Sequence, residues 1–348
     1  MIKVEINTAK PYKVYIGHEI LKNAGDFCRE VASSCKAAII SDENVAGYYL
    51  EPLKKSFEDA GFDCHVFVFP PGEASKSLET LSSLLTFLAK NSFTGGDLIV
   101  GMGGGVVTDL TGFAASVYKR GIGLVQIPTS LIAQADASVG GKTGINIPES
   151  KNLIGSFYSP KLVICDTKTL KTLSHSEFLN GMAEVIKTGL MFDGELFKEV
   201  MSGGAPEALV SRCVYIKKTV VEEDEFDLGM RRMLNFGHTV GHAVERLSGY
   251  TVLHGCAVAA GMSVITRAAV KNGVCEPETW EDIKQALEKY KLSIDCPYPA
   301  KAVFDACLSD KKRRGNRITL AVPFKTGQGH LIDIDIPELE KWIERGLK

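Results

Sequence analysis

LIVGMGGGVVTDLTGF, residues 98–113, decides the fold. An apolar run breaks into three glycines, Gly103, Gly104 and Gly105, and resumes as a helical pattern. A strand that ends in glycines and feeds a helix is the core of a β–α unit. Glycine lets the backbone approach a phosphate closely. The helix start adds unpaired N–H groups and the positive end of its dipole. The spacing is not G-x-G-x-x-G, because Val106 follows Gly105. We read the turn as a pyrophosphate site, against the plainer reading of a tight turn without a ligand.

The same alternation extends on both sides. KAAIISDENV (36–45) reads as a buried strand, and YYLEPLKKSFEDAGF (48–62) as an amphipathic helix ending at Gly61. DCHVFVFPPGE (63–73) is a strand running into a turn. SLETLSSLLTFLAKNSF (77–93) is a helix with Ser77 as its N-cap, and GLVQIPTS (123–130) is another strand. After about residue 170 the texture becomes helical, from SEFLNGMAEVIKTGLMF (176–192) to ETWEDIKQALEKY (278–290), and strand signal returns at RITLAVPF (317–324). The expected fold class is therefore an α/β N-terminal domain with a mostly parallel Rossmann-like sheet plus a mainly α-helical C-terminal domain. The boundary is placed at residues 1–168 and 169–348, and a cleft between the domains is the default location for a site.

Composition narrows the function. With 40 basic and 42 acidic residues in 348, no strong field favours nucleic acid or an anionic membrane. No apolar run approaches a membrane span, and the opening MIKVEINTAKPYKVYIG alternates like a strand rather than a signal peptide. Nine scattered cysteines without a CxxC pair fit reduced thiols in a cytoplasmic protein. The basic run DKKRRGNR (310–317) is short, and reads as a solvated loop or a clamp for a small anion.

DASVGGKTGIN (136–146) contains Gly-Lys-Thr, but Asp136 stands where a Walker A loop needs its first glycine. Asp136, Lys142, Lys151 and Asn152 lie close together among glycines, which suits an anionic, hydroxylated ligand. In GMAEVIKTG (181–189), Glu184 and Lys187 share a helix face amid apolar neighbours. In LNFGHTVGHAVERLSGYTVLHG (234–255), His238 and His242 are one turn apart, and His254 follows. Spacing alone favours His238 and His242 as metal ligands with His254 third. A satisfied core histidine is the competing reading for each. Glu245, three residues past His242, either fixes a ligand's tautomer or faces solvent.

Taken together, the chain resembles the 3-dehydroquinate synthase family over most of its length. PGEASK, GGGVVTDLTGFAASVYKRGI, PTSLIAQADASVGGKTGIN, KNLIGSFYSPKLVI, GMAEVIKTG, RRMLNFGHTVGHAVE and HGCAVAAGM occur in the family's order and spacing. That family is similar in fold to glycerol dehydrogenase-type metal enzymes and includes other sugar-phosphate cyclases. The resemblance implies conversion of 3-deoxy-D-arabino-heptulosonate 7-phosphate to 3-dehydroquinate and phosphate. The route runs through transient oxidation by NAD, phosphate elimination, reduction, ring opening and aldol closure. It implies NAD and one divalent metal, zinc or cobalt, as cofactors.

The resemblance also assigns residues. It moves the metal ligands to Glu184, His238 and His254, and makes His242 a substrate-facing, proton-handling group. Lys142, Lys187, Asp136 and Asn235 join His242 as catalytic or hydroxyl- and phosphate-contacting positions, with Asn152 and Lys311 beside them. Lys312 is the alternative to Lys311. Lys217 and Arg231 match a pair that binds the substrate carboxylate. A cyclase whose substrate lacks a carboxylate has no use for them; such a cyclase and an NAD-dependent metal polyol dehydrogenase are the alternative readings. The NAD positions are Asp42, Asn44, Glu73, Lys76, Gly104, Gly105, Val106, Val107, Asp109, Thr129, Ser130, Lys142, Lys151, Thr169 and Thr172. The resemblance further implies a homodimer in which Arg120 reaches into the neighbouring site. One departure is His254-Gly255-Cys256, where the family commonly has glutamate third; Cys256 is read as a neutral substitution.

Overall fold

The computed structural model describes residues 1–33, 35–148, 150–308 and 316–348. They divide into two compact units, Met1–Leu173 with Lys217–Glu222, and Ser174–Ile216 with Glu223–Lys348. The division falls a few residues past the expected 168. The return of Lys217–Glu222 to the first unit has a local cause. Lys217 pairs with Asp136, Lys218 donates to the Glu5 carbonyl at 2.6 Å, and Glu222 accepts the Asn7 N–H at 2.6 Å.

The first unit runs β1 (Ile2–Ile6), β2 (Tyr12–Gly17), α1 (Ala24–Arg29), β3 (Lys36–Asp42), α2 (Glu43–Asp59), β4 (Asp63–Phe69) and α3 (Leu78–Lys90). It continues with β5 (Leu98–Gly103), α4 (Gly105–Val117), β6 (Gly123–Pro128), β7 (Lys142–Ile147), β8 (Ser150–Phe157) and β9 (Leu162–Asp166). The main sheet has the order β1-β2-β9-β6-β5-β3-β4; only β1 is antiparallel to its neighbour. This is the expected fold class, and the period-2 pattern explains it. Ala37, Ile39, Leu98, Val100, Val125 and Ile127 face one apolar layer with Leu53 and Phe57 of α2. The alternate residues Ala38, Ile40, Ile99 and Leu124 face the other layer, with Leu84 and Leu88 of α3 and Leu110 and Phe113 of α4. Every residue of β5 is buried, as a parallel strand covered on both faces requires.

From β3 the chain moves to β4 on one side, then crosses to β5 on the other. The carboxyl ends of β3 and β5 thus flank a topological switch point, where open α/β sheets place ligands. Ser77 caps α3 as expected, accepting the Thr80 N–H at 3.3 Å. The stretch 136–146, read as a glycine-rich polar segment, enters an antiparallel hairpin of β7 and β8, and residues 133–137 just before and at its start form a π-helical turn. Its glycines hid the strand period: Gly144 pairs with Gly155 across the hairpin.

The second unit contains α5 (His175–Phe192), α6 (Gly194–Ser202), α7 (Pro206–Glu223) apart from its Lys217–Glu222, α8 (His238–Leu247), α9 (His254–Lys271), α10 (Pro277–Lys289), α11 (Ala300–Leu308), an antiparallel hairpin β10 (Arg317–Lys325) and β11 (Gln328–Asp335), and α12 (Ile336–Leu347). Residues 180–191 of α5 and most of α9 are buried on all sides. These two are core helices, and the site is built on them.

Candidate active site

In the first unit several of the expected nucleotide positions, Asp42, Gly104 and Thr129 among them, lie at or just past the carboxyl ends of β3, β5 and β6. Asp42 closes β3 and caps α2, accepting the Val45 N–H at 3.0 Å; Asn44 is exposed in the first turn. Gly103 closes β5, where a Cβ would stand 2.4 Å from Val107 Cγ2. Gly104 caps α4, and a Cβ on it would lie 3.3 Å from Ser130 Oγ. The N–H groups of Gly105, Val106 and Val107 belong to a first turn without intrahelical acceptors, so they suit an anion. The Val107 side chain packs in the core, which leaves only its backbone for a ligand.

Thr129 ties β6 to β5 by donating its N–H to the Gly103 carbonyl at 2.9 Å. The Thr169 hydroxyl is committed within the protein. It donates to the Asp166 carbonyl at 2.8 Å and accepts from the buried Gln134 amide at 3.0 Å. Thr172 shares a 2.5 Å hydrogen bond with the Tyr49 hydroxyl. The buried Lys76 ammonium contacts both Asp109 and Asn152, and Glu73 accepts from Asn146 at 2.7 Å. Asn152 holds this place with a left-handed backbone, φ 52°. Lys142 is exposed at the start of β7, Lys151 is half-buried, and Arg120 is exposed at φ 63°. Lys217, 7 % exposed, meets the Asp136 carboxylate at 2.6 Å.

In the second unit, α5 buries Glu184 and Lys187, which pair across one helical turn. His238 opens α8 and His254 opens α9. Glycines bring these helices together. Gly237 precedes His238 at φ 77°, and a Cβ on Gly261 would stand 2.0 Å from the Gly237 carbonyl. His254 Nε2 lies 3.4 Å and His238 Nε2 3.8 Å from the same oxygen, Glu184 Oε1. Each Nδ1 faces an acceptor instead, the Phe236 carbonyl at 3.1 Å for His238 and Glu245 Oε2 at 3.2 Å for His254. With each Nδ1 set against an oxygen, the two Nε2 atoms are the ones that face Glu184, and they are the ones a metal would use.

A divalent metal fits these donors. Glu184 Oε1 is buried and accepts no hydrogen bond, a costly state for a carboxylate oxygen unless a cation completes it. Two donors about 2.1 Å from a tetrahedral centre stand about 3.4 Å apart, close to the separations here. Burial favours protonation of Glu184, but Lys187 and His254 outweigh it and hold the carboxyl at about 2. Burial disfavours the charged form of His254, but the Glu184 and Glu245 carboxylates raise it to about 9.

The helical pair His238 and His242 is therefore not the set around Glu184. Their rings are 5.4 Å apart, but His242 groups with Glu245 and His254. Spacing placed both histidines on one face correctly and could not show which of them the distant carboxylate meets. Asn235 and Arg231 lie in the short 3-10 turn before α8. Arg231 is 1 % exposed, and its guanidinium donates to the Glu225 carbonyl at 2.5 Å. Cys256 is a partly buried free thiol outside both donor groups. Lys311 and Lys312 lie outside the described residues. Sequence reasoning missed Gln134, which carries no local signal. It named Glu245 without finding its partner.

Comparison with known proteins bears on these geometries together. The family model for the 3-dehydroquinate synthase N-terminal region matches residues 66–180, and that for the C-terminal region matches residues 181–313. The 3-dehydroquinate synthase of Streptococcus thermophilus is 41% identical, with 99% of this chain and 100% of the relative aligned. A 2-deoxy-scyllo-inosose synthase, solved with carbaglucose-6-phosphate, NAD+ and Co2+, superposes with a TM-score of 0.89 at 22% identity, over 99% of this chain and 100% of the other. The 2-epi-5-epi-valiolone synthase of Streptomyces hygroscopicus, solved with NAD+ and Zn2+, gives 0.88 at 26% identity, over 96% of each chain. The solved neighbours share the architecture, and the full-length relative shares far more of the residues. The chain belongs to the 3-dehydroquinate synthase family.

Proposed function

We propose that the protein converts 3-deoxy-D-arabino-heptulosonate 7-phosphate to 3-dehydroquinate and phosphate, as a carbon–oxygen lyase of aromatic biosynthesis. The observation that carries this reading is 41% identity over 99% of the chain to a 3-dehydroquinate synthase. NAD and a divalent metal, zinc or cobalt, are its cofactors. The residues for the metal are Glu184, His238 and His254, and those for NAD are the expected positions from Asp42 to Thr172. When bound, the metal supplies a Lewis acid for the substrate's hydroxyls, and the nucleotide supplies a hydride acceptor regenerated within each cycle.

The chain's own groups then orient a flexible sugar phosphate through several steps. Lys187, held by Glu184, presents an ammonium to a hydroxyl. His242 sits beside the metal ligands as the group that moves a proton. Lys217 and Arg231 are buried cations, the residue type that a carboxylate requires. Lys142, Asn152, Asn235 and Lys311 are assigned to phosphate and hydroxyls, and Asp136 to a hydroxyl.

We further propose a homodimer in which Arg120 serves the partner's site. Exposed Val117 and Phe157 support it. They follow Ser116 and Ser156, whose hydroxyls hydrogen-bond at 2.8 Å one short turn before Arg120. A cytoplasmic location is supported by nine cysteines of which none is in a disulfide. Among the described residues no helix is long and apolar enough to cross a membrane.

The test is phosphate release from the heptulosonate phosphate by purified protein with NAD and zinc, with and without a chelator. We expect release that the chelator abolishes. No release, or preferred turnover of a sugar phosphate lacking the carboxylate, overturns the reading.

A further inference from the structure

Glu245 is a buried carboxylate that none of the roles above uses. It is 2 % exposed, in the last full turn of α8. Its backbone is fixed, because its carbonyl accepts both the Tyr250 N–H at 2.8 Å and the Ser248 hydroxyl at 2.7 Å. Its Oε2 lies 3.2 Å from His254 Nδ1, on the opposite side of the ring from the nitrogen that faces Glu184.

We propose that Glu245 is a positioning residue of the metal centre, accepting the Nδ1 proton of His254 and so committing Nε2 to the metal. The proposal rests on the reading that Glu184, His238 and His254 hold the metal. The two histidines make the case by contrast. Both have Nδ1 against an oxygen and Nε2 toward Glu184 Oε1. For His238 that oxygen belongs to the Phe236 backbone, which no substitution removes. For His254 it belongs to a side chain, so this one ligand's tautomer and ring angle depend on residue 245.

His242, Glu245 and His254 also form a donor group of their own. A neutral imidazole has a single lone pair, so His254 can serve one of the two groups at a time. A proton on Nδ1, held by Glu245, gives that lone pair to the Glu184 side. A carboxylate behind a ligating histidine also raises the basicity of the ligating nitrogen.

The experiment titrates wild type, Glu245→Ala, Glu245→Gln and His238→Ala with Zn2+ against a chromogenic chelator. Co2+ is followed in parallel by its visible absorption, and NAD binding reports folding. We expect Glu245→Ala to weaken zinc binding about 10- to 100-fold and to change the cobalt spectrum. Glu245→Gln, whose amide oxygen still accepts the Nδ1 proton, should lose less, and both variants should bind NAD like wild type. Wild-type zinc affinity and cobalt spectrum in the alanine variant overturn the proposal. If that variant fails to fold, an unchanged cobalt spectrum and affinity in the glutamine variant do so. Two metals per wild-type chain, one of them lost in Glu245→Ala, also overturn it by making Glu245 a ligand. Wild-type affinity in His238→Ala overturns the metal-centre reading itself.

Discussion

The end of β5 offers backbone; the start of α9 offers side chains. The first unit builds its candidate site from glycines and first-turn N–H groups, with the sheet fixing their positions. The second builds its own from Glu184, Lys187, His238 and His254 in helices buried on all sides. The vulnerabilities differ accordingly. A site made of backbone tolerates changes of side-chain chemistry but not added volume. A site made of buried charges fails when a single partner is removed.

His238→Ala is expected to have the largest effect. Metal binding should be lost and phosphate release should fall roughly 10⁴-fold, about 5 kcal/mol of transition-state stabilisation. NAD affinity, measured by fluorescence, should stay within about twofold. A parallel loss of NAD binding breaks the separation between the two kinds of site. His242→Ala sharpens the comparison inside the second unit. Zinc affinity should remain within about threefold while kcat drops about 10²-fold, as expected for a lost proton-transfer group. Lost zinc instead returns His242 to the ligand set.

Gly103→Ala addresses the first unit. Its Cβ would meet Val107 Cγ2 at 2.4 Å, so stability should fall by about 1–3 kcal/mol in denaturant unfolding. NAD binding should weaken while zinc affinity holds.

The smallest effect lies away from both sites. Asp193 caps α6 and takes two hydrogen bonds from Arg212, at 2.7 and 3.1 Å. Burial pushes its carboxyl up, but Arg212 and the N–H groups of Leu196 and Glu195 outweigh burial and hold it below the usual value. The stabilisation is therefore present above the unfolded pKa of about 3.9 and is lost as pH falls through the lower folded value. Arg212→Ala should cost about 0.5–1 kcal/mol at pH 7, with the gap to wild type closing in acid. A gap that widens in acid contradicts this sign.

The same contrast sets what the sequence revealed. The β–α alternation and the glycine turn were legible because they are local periodicities. The parallel sheet followed from them, and Ser77 was readable as a cap because a cap acts three residues away. The β7–β8 hairpin was not legible, since glycines such as Gly144 and Gly155 erase the apolar alternation. In the second unit, spacing could pair His238 with His242 because they share a turn. It could not bring Glu184 of α5 to His254 of α9, a meeting set by glycine contacts between helices. That assignment came from the order of seven motifs, not from any one of them.

The position of β9 has a consequence for how the chain is made. β2 lies between β1 and β9, and β9 is also the partner of β6. Thr167, just past β9, hydrogen-bonds to Gly17 at the end of β2 across 150 residues. At translation rates of 5–20 residues per second, β2 waits roughly 8–30 s for its neighbour to leave the ribosome. Throughout that interval the side of β2 that β9 fills has no native partner, and β6, once made, lacks its partner on the same side. Edges of this kind recruit other strands, so aberrant strand pairing is the hazard of the chain before Leu162 is synthesised. Nascent chains arrested before and after that point should differ sharply in protease resistance.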